Sequence, residues 1–395
     1  MLKTNSFYTK FGEFVKNQNP ELTIFIHASD LHLGSHQYRN CFRADDFINA
    51  FQQILEICIS YQADFILLGG DVFTSLEMLP GKLLKIIKIL KEFKEFTKGM
   101  ISIIAIEGNH DIRRFSRGVR FSKRGQSWLK LISNLGLLVL LDGDLESLPT
   151  SVYPTYNFNY NKGGKIRIKN VVIYGNHYLG ENPADYVQKI AKAIEKEKDL
   201  FCVLLQHFGI EGQMENVPGI KLSKLYPLRE KVDYLALGHY HLQFILDNWV
   251  YNPGSSEAVC SVDSKFRRGI FIVKVRGNSS TFAKEVYPIQ LINRKSIWKT
   301  LYLPYPFKTQ KEMMIFITNR LESELNYLDK SCNDLSNPKV PILYLVLKGR
   351  KSLLHGKFNE KELKEELMKA LPIVDLGVYQ KYYESVKTLN QFLYF

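Results

Sequence analysis

The sequence predicts an α/β layered domain, its sheets covered by helices, followed by a smaller α+β domain. Two observations predict it. From Thr23 onward, short apolar runs that end in polar clusters alternate with segments of helical period, and after about Val286 that alternation gives way to a Pro-containing stretch of different character. The runs Thr23 to His27, Asp64 to Leu68, Ile101 to Ile106, Val171 to Tyr174, Phe201 to Leu205 and Tyr234 to Leu237 read as buried strands. Between the first two, Phe47, Phe51, Ile54, Leu55 and Cys58 fall at spacings of three and four, which is one apolar helix face. Helices are likewise expected over Lys82 to Phe96, Arg124 to Asn134 and Ala184 to Lys196. Beyond Pro304 and Pro306 the pattern predicts a helix near Lys311 to Tyr327, a strand over Ile342 to Lys348 and a helix over Asn359 to Ala370.

These elements set the expected boundaries: an N-terminal extension over 1–22, a first domain over 23–290 and a second over 296–395. A length of 395 residues fits that division, since one compact domain usually takes roughly 150. A hydrophobic content of 45% is enough for packed cores throughout and excludes a disordered chain. The formal net charge of +13 favours an anionic partner such as nucleic acid. The five cysteines are scattered and lack C-x-x-C spacing, so neither a disulfide framework nor a thiolate zinc site is expected. Residues 1–20 lack the apolar core of a secretory signal, and no later apolar run reaches about 18 residues. The expected location is the cytoplasm.

The informative polar residues follow the predicted strands, where a layered α/β sheet places its ligands. The first strand leads to Ser29-Asp30-Leu31-His32, the second to Gly69-Gly70-Asp71, and the third to Glu107-Gly108-Asn109-His110-Asp111. Gln206-His207 and Gly238-His239-Tyr240-His241 follow two later strands. Together they offer carboxylates, an amide oxygen and imidazoles in the number needed to hold two divalent ions that share a carboxylate. In extended chain, residues i and i+2 point to one side, so Asp30 with His32, and His239 with His241, can each converge on one ion. Any one of these pieces alone would read as structural; five in order after strands do not.

This motif order, D-x-H, G-D, G-N-H-D, H and G-H-x-H, resembles the calcineurin-like metallophosphoesterase superfamily over roughly Thr23 to Pro288. The resemblance implies an αββα sandwich in which Asp30, His32, Asp71 and His241 hold one ion and Asp71, Asn109, His207 and His239 the other. It implies that His110 is no ligand but assists the leaving oxygen, with Asp111 as its orienting partner. Two ions would then activate a bridging hydroxide for in-line attack on a phosphodiester. Nitrogen and oxygen donors without thiolate suit Mn²⁺ or Fe²⁺ better than structural zinc, and Mn²⁺ is the expected cofactor.

The flanking residues narrow the branch. Asp71 is followed by Val72-Phe73-Thr74-Ser75, unlike the G-D-x-x-D-R-G of phosphoprotein phosphatases. The stretches Phe25 to Gly34, Asp64 to Phe73, Ala105 to Asp111 and Asn252-Pro253-Gly254-Ser255-Ser256 resemble the SbcD-type nucleases of double-strand-break repair. In that family a small capping domain follows, and the residues after 295 match it in size and position, with Leu347-Lys348-Gly349-Arg350 through Leu354-His355-Gly356 similar to the cap of bacterial and archaeal members. The resemblance implies a manganese-dependent DNA nuclease that works with a coiled-coil ATPase of the SbcC type, and it leaves a homodimer open. Two departures stand out. Thr74 occupies a position that is histidine in many members, where it is associated with processing of duplex ends. Those members also continue into helices that hold the ATPase, whereas this chain stops at Phe395. The ATPase contact is therefore expected on the cap or the residues before Thr23, where Phe7, Tyr8, Phe11, Phe14 and Val15 could form a docking face or pack on their own domain.

Arg113, Arg114 and Arg117, with Arg120, Lys123 and Arg124, form the densest basic run and are candidates for gripping DNA phosphates, as are Arg39 and Arg43. The alternative for each is a solvated face. His27, His36, His177 and His355 match no ligand position and read as structural or surface residues. Two rival functions remain: a phosphodiesterase for a small phosphodiester such as a cyclic nucleotide, and a DNA-binding scaffold without activity. An intact ligand set with His110 argues against the scaffold.

Overall fold

The computed structural model describes residues 7–16, 19–37, 40–112, 127–277, 281–304, 307–328, 334–350 and 359–383. It divides into two compact units, one of Met1–Ser35 with Phe47–Ile292 and one of His36–Asp46 with Asn293–Phe395. In chain order the elements of the first are α1 (Phe7–Phe11), β1 (Leu22–Ala28), α2 (Cys41–Ser60), β2 (Phe65–Leu68), α3 (Pro80–Phe96), β3 (Ser102–Ala105), α4 (Trp128–Asn134), β4 (Val139–Leu140), β5 (Lys165–Ile168), β6 (Val171–Gly175), α5 (Val187–Ala193), β7 (Phe201–His207), β8 (Tyr234–Gly238), β9 (Phe244–Leu246), β10 (Val250–Asn252), β11 (Gly269–Arg276) and β12 (Ala283–Gln290). The opening residues of α2, up to Asp46, belong to the second unit. Among the described residues no helix is long and apolar enough to cross a membrane.

The strands of unit 1 form two six-stranded sheets, ordered β12-β11-β1-β2-β3-β4 and β5-β6-β7-β8-β10-β9. Both have a parallel run, β1 to β4 in one and β6-β7-β8-β10 in the other; antiparallel β11 and β12 flank the first on one side, and antiparallel β5 and β9 flank the second on both. Alternation along each central strand builds three layers of core. Phe25, Phe65, Leu67 and Ile104 point to the facing sheet and meet Ile173, Val203, Leu205 and Ala236. Their neighbours Ile24, Ile26, Ile66 and Leu68 turn the other way and pack on Ile54 and Leu55 of α2 and Ile89 and Phe93 of α3. Val172, Leu204, Leu235 and Leu237 pack on Val187 and Ile190 of α5. The result is the predicted helix, sheet, sheet, helix order.

Parallel register also aligns the strand ends. Ala28 pairs with Leu68 and Leu68 with Ala105, so Asp30, Asp71 and Asn109 leave one row of the first sheet within four residues of it. His207 pairs with Gly238, which puts His207 and His239 at the corresponding end of the second sheet.

The N-terminal segment packs on its own unit. Phe7 and Phe14 are buried in the cluster beneath α3, with the Phe7 ring 6.0 Å from both Phe93 and Phe96. Tyr8 and Val15 alone of the five apolar residues are exposed. A docking face built on all five is therefore not present, because two of its members already serve the core.

Unit 2 contains β13 (Ser296–Leu303), α6 (Gln310–Glu324), β14 (Ile342–Arg350), α7 (Glu360–Ala370) and β15 (Asp375–Tyr383). The strands form one parallel sheet in that order. Leu301, Leu343, Leu345 and Leu347 pack on Met313, Ile317 and Leu321 of α6 and Leu363 and Leu367 of α7. Thr309 and Asn359 cap the two helices, each accepting from a backbone N–H three residues on. At one edge the buried carboxylate of Asp46 holds two buried guanidiniums, Arg43 at 2.5 Å and Arg294 at 2.7 Å.

Candidate metal centre

Four of the polar residues that leave the strand ends adopt left-handed backbone: Asp30 at φ 51°, His32 at 45°, Asp71 at 49° and His239 at 89°. Such conformations cost of order 1–3 kcal/mol each outside glycine and persist only where surrounding bonds fix them. Here the loops are zipped together. Asp30 N–H donates to Gly70 O, His32 N–H to Asp71 O and Leu33 N–H to Val72 O. His239 N–H donates to the Asp30 carboxylate at 3.0 Å, and His110 N–H to Asp71 Oδ1 at 2.8 Å. Two glycines permit this closeness. A Cβ on Gly108 would lie 2.1 Å from Asp71 Oδ1, and one on Gly238 would lie 2.0 Å from Ser29 Oγ.

The side chains converge in three overlapping groups: Asp30, His32 and His241; His32, Asp71 and His110; and Asp71, His207 and His239, with the ligand atoms in each within 4.8 Å of one another. Asn109 joins the last, its Oδ1 lying 3.1 Å from His207 Nε2 and 3.0 Å from His239 Nδ1. His207 Nε2 is 3.3 Å from Asp71 Oδ2, and His32 Nε2 is 3.1 Å from His241 Nε2. Two donors each about 2.1 Å from an ion and at right angles to it lie about 3.0 Å apart, so these separations fit groups that share a cation. All are oxygen or nitrogen donors, and Asp71 and His32 occur in two of the three groups, which suits a pair of divalent ions.

Electrostatics point the same way. Burial pushes the Asp30 carboxyl up to about 6 against the pull of His207 and His241. Burial alone would also raise Asp71, but the charge and hydrogen bond of His207 outweigh it and hold the carboxyl below its usual range. Conversely, His207 is raised to about 9, since burial is outweighed by Asp71 and Asp30. His32 and His239 are pushed down by burial to about 3 and about 4, which leaves neutral rings with lone pairs to offer. Asp71 and His207 thus share one buried positive charge that a bound cation would supply in place of the proton.

A surrounding set of residues fixes the rings, and sequence reasoning missed most of it. Asp263 Oδ2 holds His241 Nδ1 at 2.8 Å and accepts from Val259 N–H and Cys260 N–H as well. His207 Nδ1–H donates to Gly69 O at 2.7 Å, leaving Nε2 as the ligand atom. Thr74 Oγ1 lies 3.3 Å from His32 Nδ1, and Ser29 Oγ donates to Asp30 Oδ2 at 2.6 Å. Asn252 Nδ2 donates to Tyr240 O and Leu242 O, the carbonyls on either side of His241.

Two expectations need correction. Asp111 does not orient His110: its buried carboxylate accepts from the backbone N–H groups of Val72, Phe73 and Gly108, stapling the second loop to the third. His110 Nδ1 instead lies 3.0 Å from the Thr74 carbonyl, while its ring is exposed at the rim. Arg43 does not face solvent or a phosphate, because it is fully buried against Asp46 and Gln37. Arg39, Arg113, Arg114 and Arg117, with His355, lie outside the described residues. His27 is buried between Tyr234 Oη and Leu237 O, and burial lowers it to about 3.

Comparison with known proteins places these observations. A family model described as calcineurin-like phosphoesterase matches residues 24–243. Proteins named DNA double-strand break repair protein Mre11 are similar to the chain. The one from Archaeoglobus fulgidus is 29% identical over 247 residues, covering 59% of this chain and 50% of its own length. The one from Saccharolobus solfataricus is 26% identical over 381 residues, 93% of this chain and 84% of its own. The one from Sulfurisphaera tokodaii is 24% identical over 334 residues, 83% and 74%. The chain therefore spans about half the length of the first of these relatives and most of the other two.

Proposed function

The chain belongs to the calcineurin-like phosphoesterases, and on that premise we propose that it is a two-metal phosphodiesterase that cleaves DNA as the nuclease of a double-strand-break repair assembly. The observation that carries this reading is the chain of three overlapping Asp/His groups, in which His32, Asp71 and His110 link Asp30 and His241 on one side to His207 and His239 on the other. Asp30, His32, Asp71 and His241 would hold one ion and Asp71, Asn109, His207 and His239 the other, with Mn²⁺ suited to the donor set. Bound there, the ions supply Lewis acidity to the phosphoryl oxygens and to the attacking water. His110 Nδ1–H donates to the Thr74 carbonyl, so Nε2 is the atom that can carry a proton to the leaving alkoxide. Asp111 keeps the loops of Asp71 and Asn109 at a fixed separation.

DNA is preferred over a small phosphodiester on the names of the relatives and on the net charge of +13. In this reading residues 296–395 form a cap, and a coiled-coil ATPase of the SbcC type is the partner. The test is an assay of the Mn²⁺-loaded protein on circular single-stranded DNA, linear duplex and a cyclic mononucleotide side by side. Cleavage of either DNA supports the proposal. Turnover of the cyclic mononucleotide alone would replace it with the small-substrate reading, and metal-loaded protein inert on all three would leave the scaffold.

A further inference from the structure

Unit 1 contains a cavity of about 380 Å³ that opens on the metal centre, its wall running from Asn109 to Glu146, His177, Tyr178, Leu179 and Tyr186. We propose that this cavity receives the nucleoside attached to the scissile phosphate, and that His177 is its polar contact. The proposal rests on the phosphodiesterase reading and names which part of the substrate lies on this side of the site.

Position comes first. Asn109 belongs to both the cavity and the group around Asp71, and the Tyr178 ring lies 6.0 Å from the rings of both His207 and His239. A substituent on a phosphate held at that group would therefore pass directly into the cavity. The wall is anchored to the metal loops, since Tyr178 N–H donates to Glu107 O at 2.7 Å, two residues before Asn109.

Size and chemistry then select the occupant. The volume sits at the small end of the roughly 300–1,000 Å³ range of small-molecule sites, enough for one nucleoside. Of the two glutamates on the wall, Glu107 is buried and tied to Ser127 and Lys130, whereas Glu146 is exposed, so a second phosphate would meet the Glu146 carboxylate while a neutral base and sugar would not be repelled. Tyr178 and Tyr186 offer aromatic surface on which any base can stack. His177 supplies direction. Its backbone N–H and its Nδ1–H both donate to Asp142 Oδ1, the latter at 2.7 Å, which locks the ring and keeps the proton on Nδ1, so Nε2 is the ring atom with a lone pair to offer. The residue matches no metal-ligand position, yet it follows β6 at the same end of the sheet as the metal loops, where such a fold binds substrates.

The test uses full-length Mn²⁺-loaded protein and two esters, bis-p-nitrophenyl phosphate, which carries no nucleoside, and the p-nitrophenyl ester of thymidine 5′-phosphate. Binding of thymidine 5′-phosphate is measured separately by equilibrium dialysis. Wild type should favour the thymidine ester in kcat/KM. His177→Ala and Glu146→Trp, the latter filling the mouth, should each lower that preference about tenfold through KM, the size of one lost polar or stacking contact, and weaken thymidine 5′-phosphate in parallel. Bound metal, counted in each variant, should be unchanged. A preference within twofold of wild type in both variants, or equal thymidine 5′-phosphate binding by wild type and Glu146→Trp, overturns the proposal. If metal-loaded wild type hydrolyses neither ester, the phosphodiesterase reading fails, and dialysis still decides whether the cavity binds a nucleotide.

Discussion

Replacing Asp263 should strip one ion from the centre without touching a ligand. Its Oδ2 takes the His241 Nδ1–H at 2.8 Å and, at 3.0 and 3.1 Å, the backbone N–H groups of Val259 and Cys260. All three donors therefore converge on one oxygen that is almost wholly buried. Burial would raise the Asp263 carboxyl, but the His241 hydrogen bond and charge outweigh it and hold it below its usual range. Removing a carboxylate that orients a ligating imidazole typically costs 10–100-fold in metal affinity, about 1.4–2.7 kcal/mol. Asp263→Ala should show that loss for the ion that Asp30, His32 and His241 are proposed to hold, and a smaller one for the ion proposed at Asp71, His207 and His239. Asp263→Asn keeps an acceptor in place for all three donors and loses only the charge, so it should fall between wild type and Asp263→Ala. Titration of metal-free protein with Mn²⁺ reads the two affinities directly. If Asp263→Ala takes up both ions as wild type does, His241 is not a ligand held by this carboxylate, and the assignment of the first group fails.

Three further outcomes follow from the same geometry. His110→Ala should lose about 10²–10⁴-fold in turnover while binding two ions, and the deficit should shrink on substrates with good leaving groups such as p-nitrophenol; an emptied metal site would refute its role as acid. Asp46→Ala leaves the guanidiniums of Arg43 and Arg294 buried without their carboxylate and should destabilise unit 2 by about 3–5 kcal/mol, read from denaturant unfolding, whereas a change under about 1 kcal/mol would show that water reaches them. His27 stays neutral in the folded chain down to about 3, while the unfolded ring protonates near 6.5, so the unfolded state takes up the proton first and stability falls as pH drops through that window. His27→Gln should flatten the loss by up to about 1.4 kcal/mol per pH unit, and identical pH profiles would show that the wild-type ring protonates in place.

The parts of the centre legible in the sequence are those whose position is set by local pattern. Asp30, Asp71, Asn109, His207 and His239 each sit within a few residues of an apolar strand, and register in a parallel sheet carries them to one end. What was not legible depends on contacts that no spacing encodes. Asp263 meets His241 from 22 residues downstream, beyond β9 and β10, in a three-residue helical turn with no apolar pattern to mark it. Thr74 acts on His110 through its carbonyl, an atom every residue has, so its identity gave no signal. Arg43 looked like an available cation because burial of an arginine is decided by its partners, and one of the groups sharing Asp46 is Arg294. Among the strands, β4 is two residues long, and β12 alternates exposed and half-buried side chains at a sheet edge, so neither leaves the apolar run that marks a central strand.

The Arg43, Asp46 and Arg294 contact also fixes an order in time. Asp46 and Arg294 are 248 residues apart, and at roughly 5–20 residues per second a ribosome needs about 12–50 s to make the second after the first. For most of that interval the segment 36–46 is already outside the ribosome while the rest of the unit it belongs to has yet to be synthesised. The carboxylate waits with Arg43 as its nearby cation and acquires its second only when the chain has passed residue 294. Synthesis halted between those points would yield a chain whose early segment has no completed fold to join, and such chains should be selective targets for chaperones and proteases.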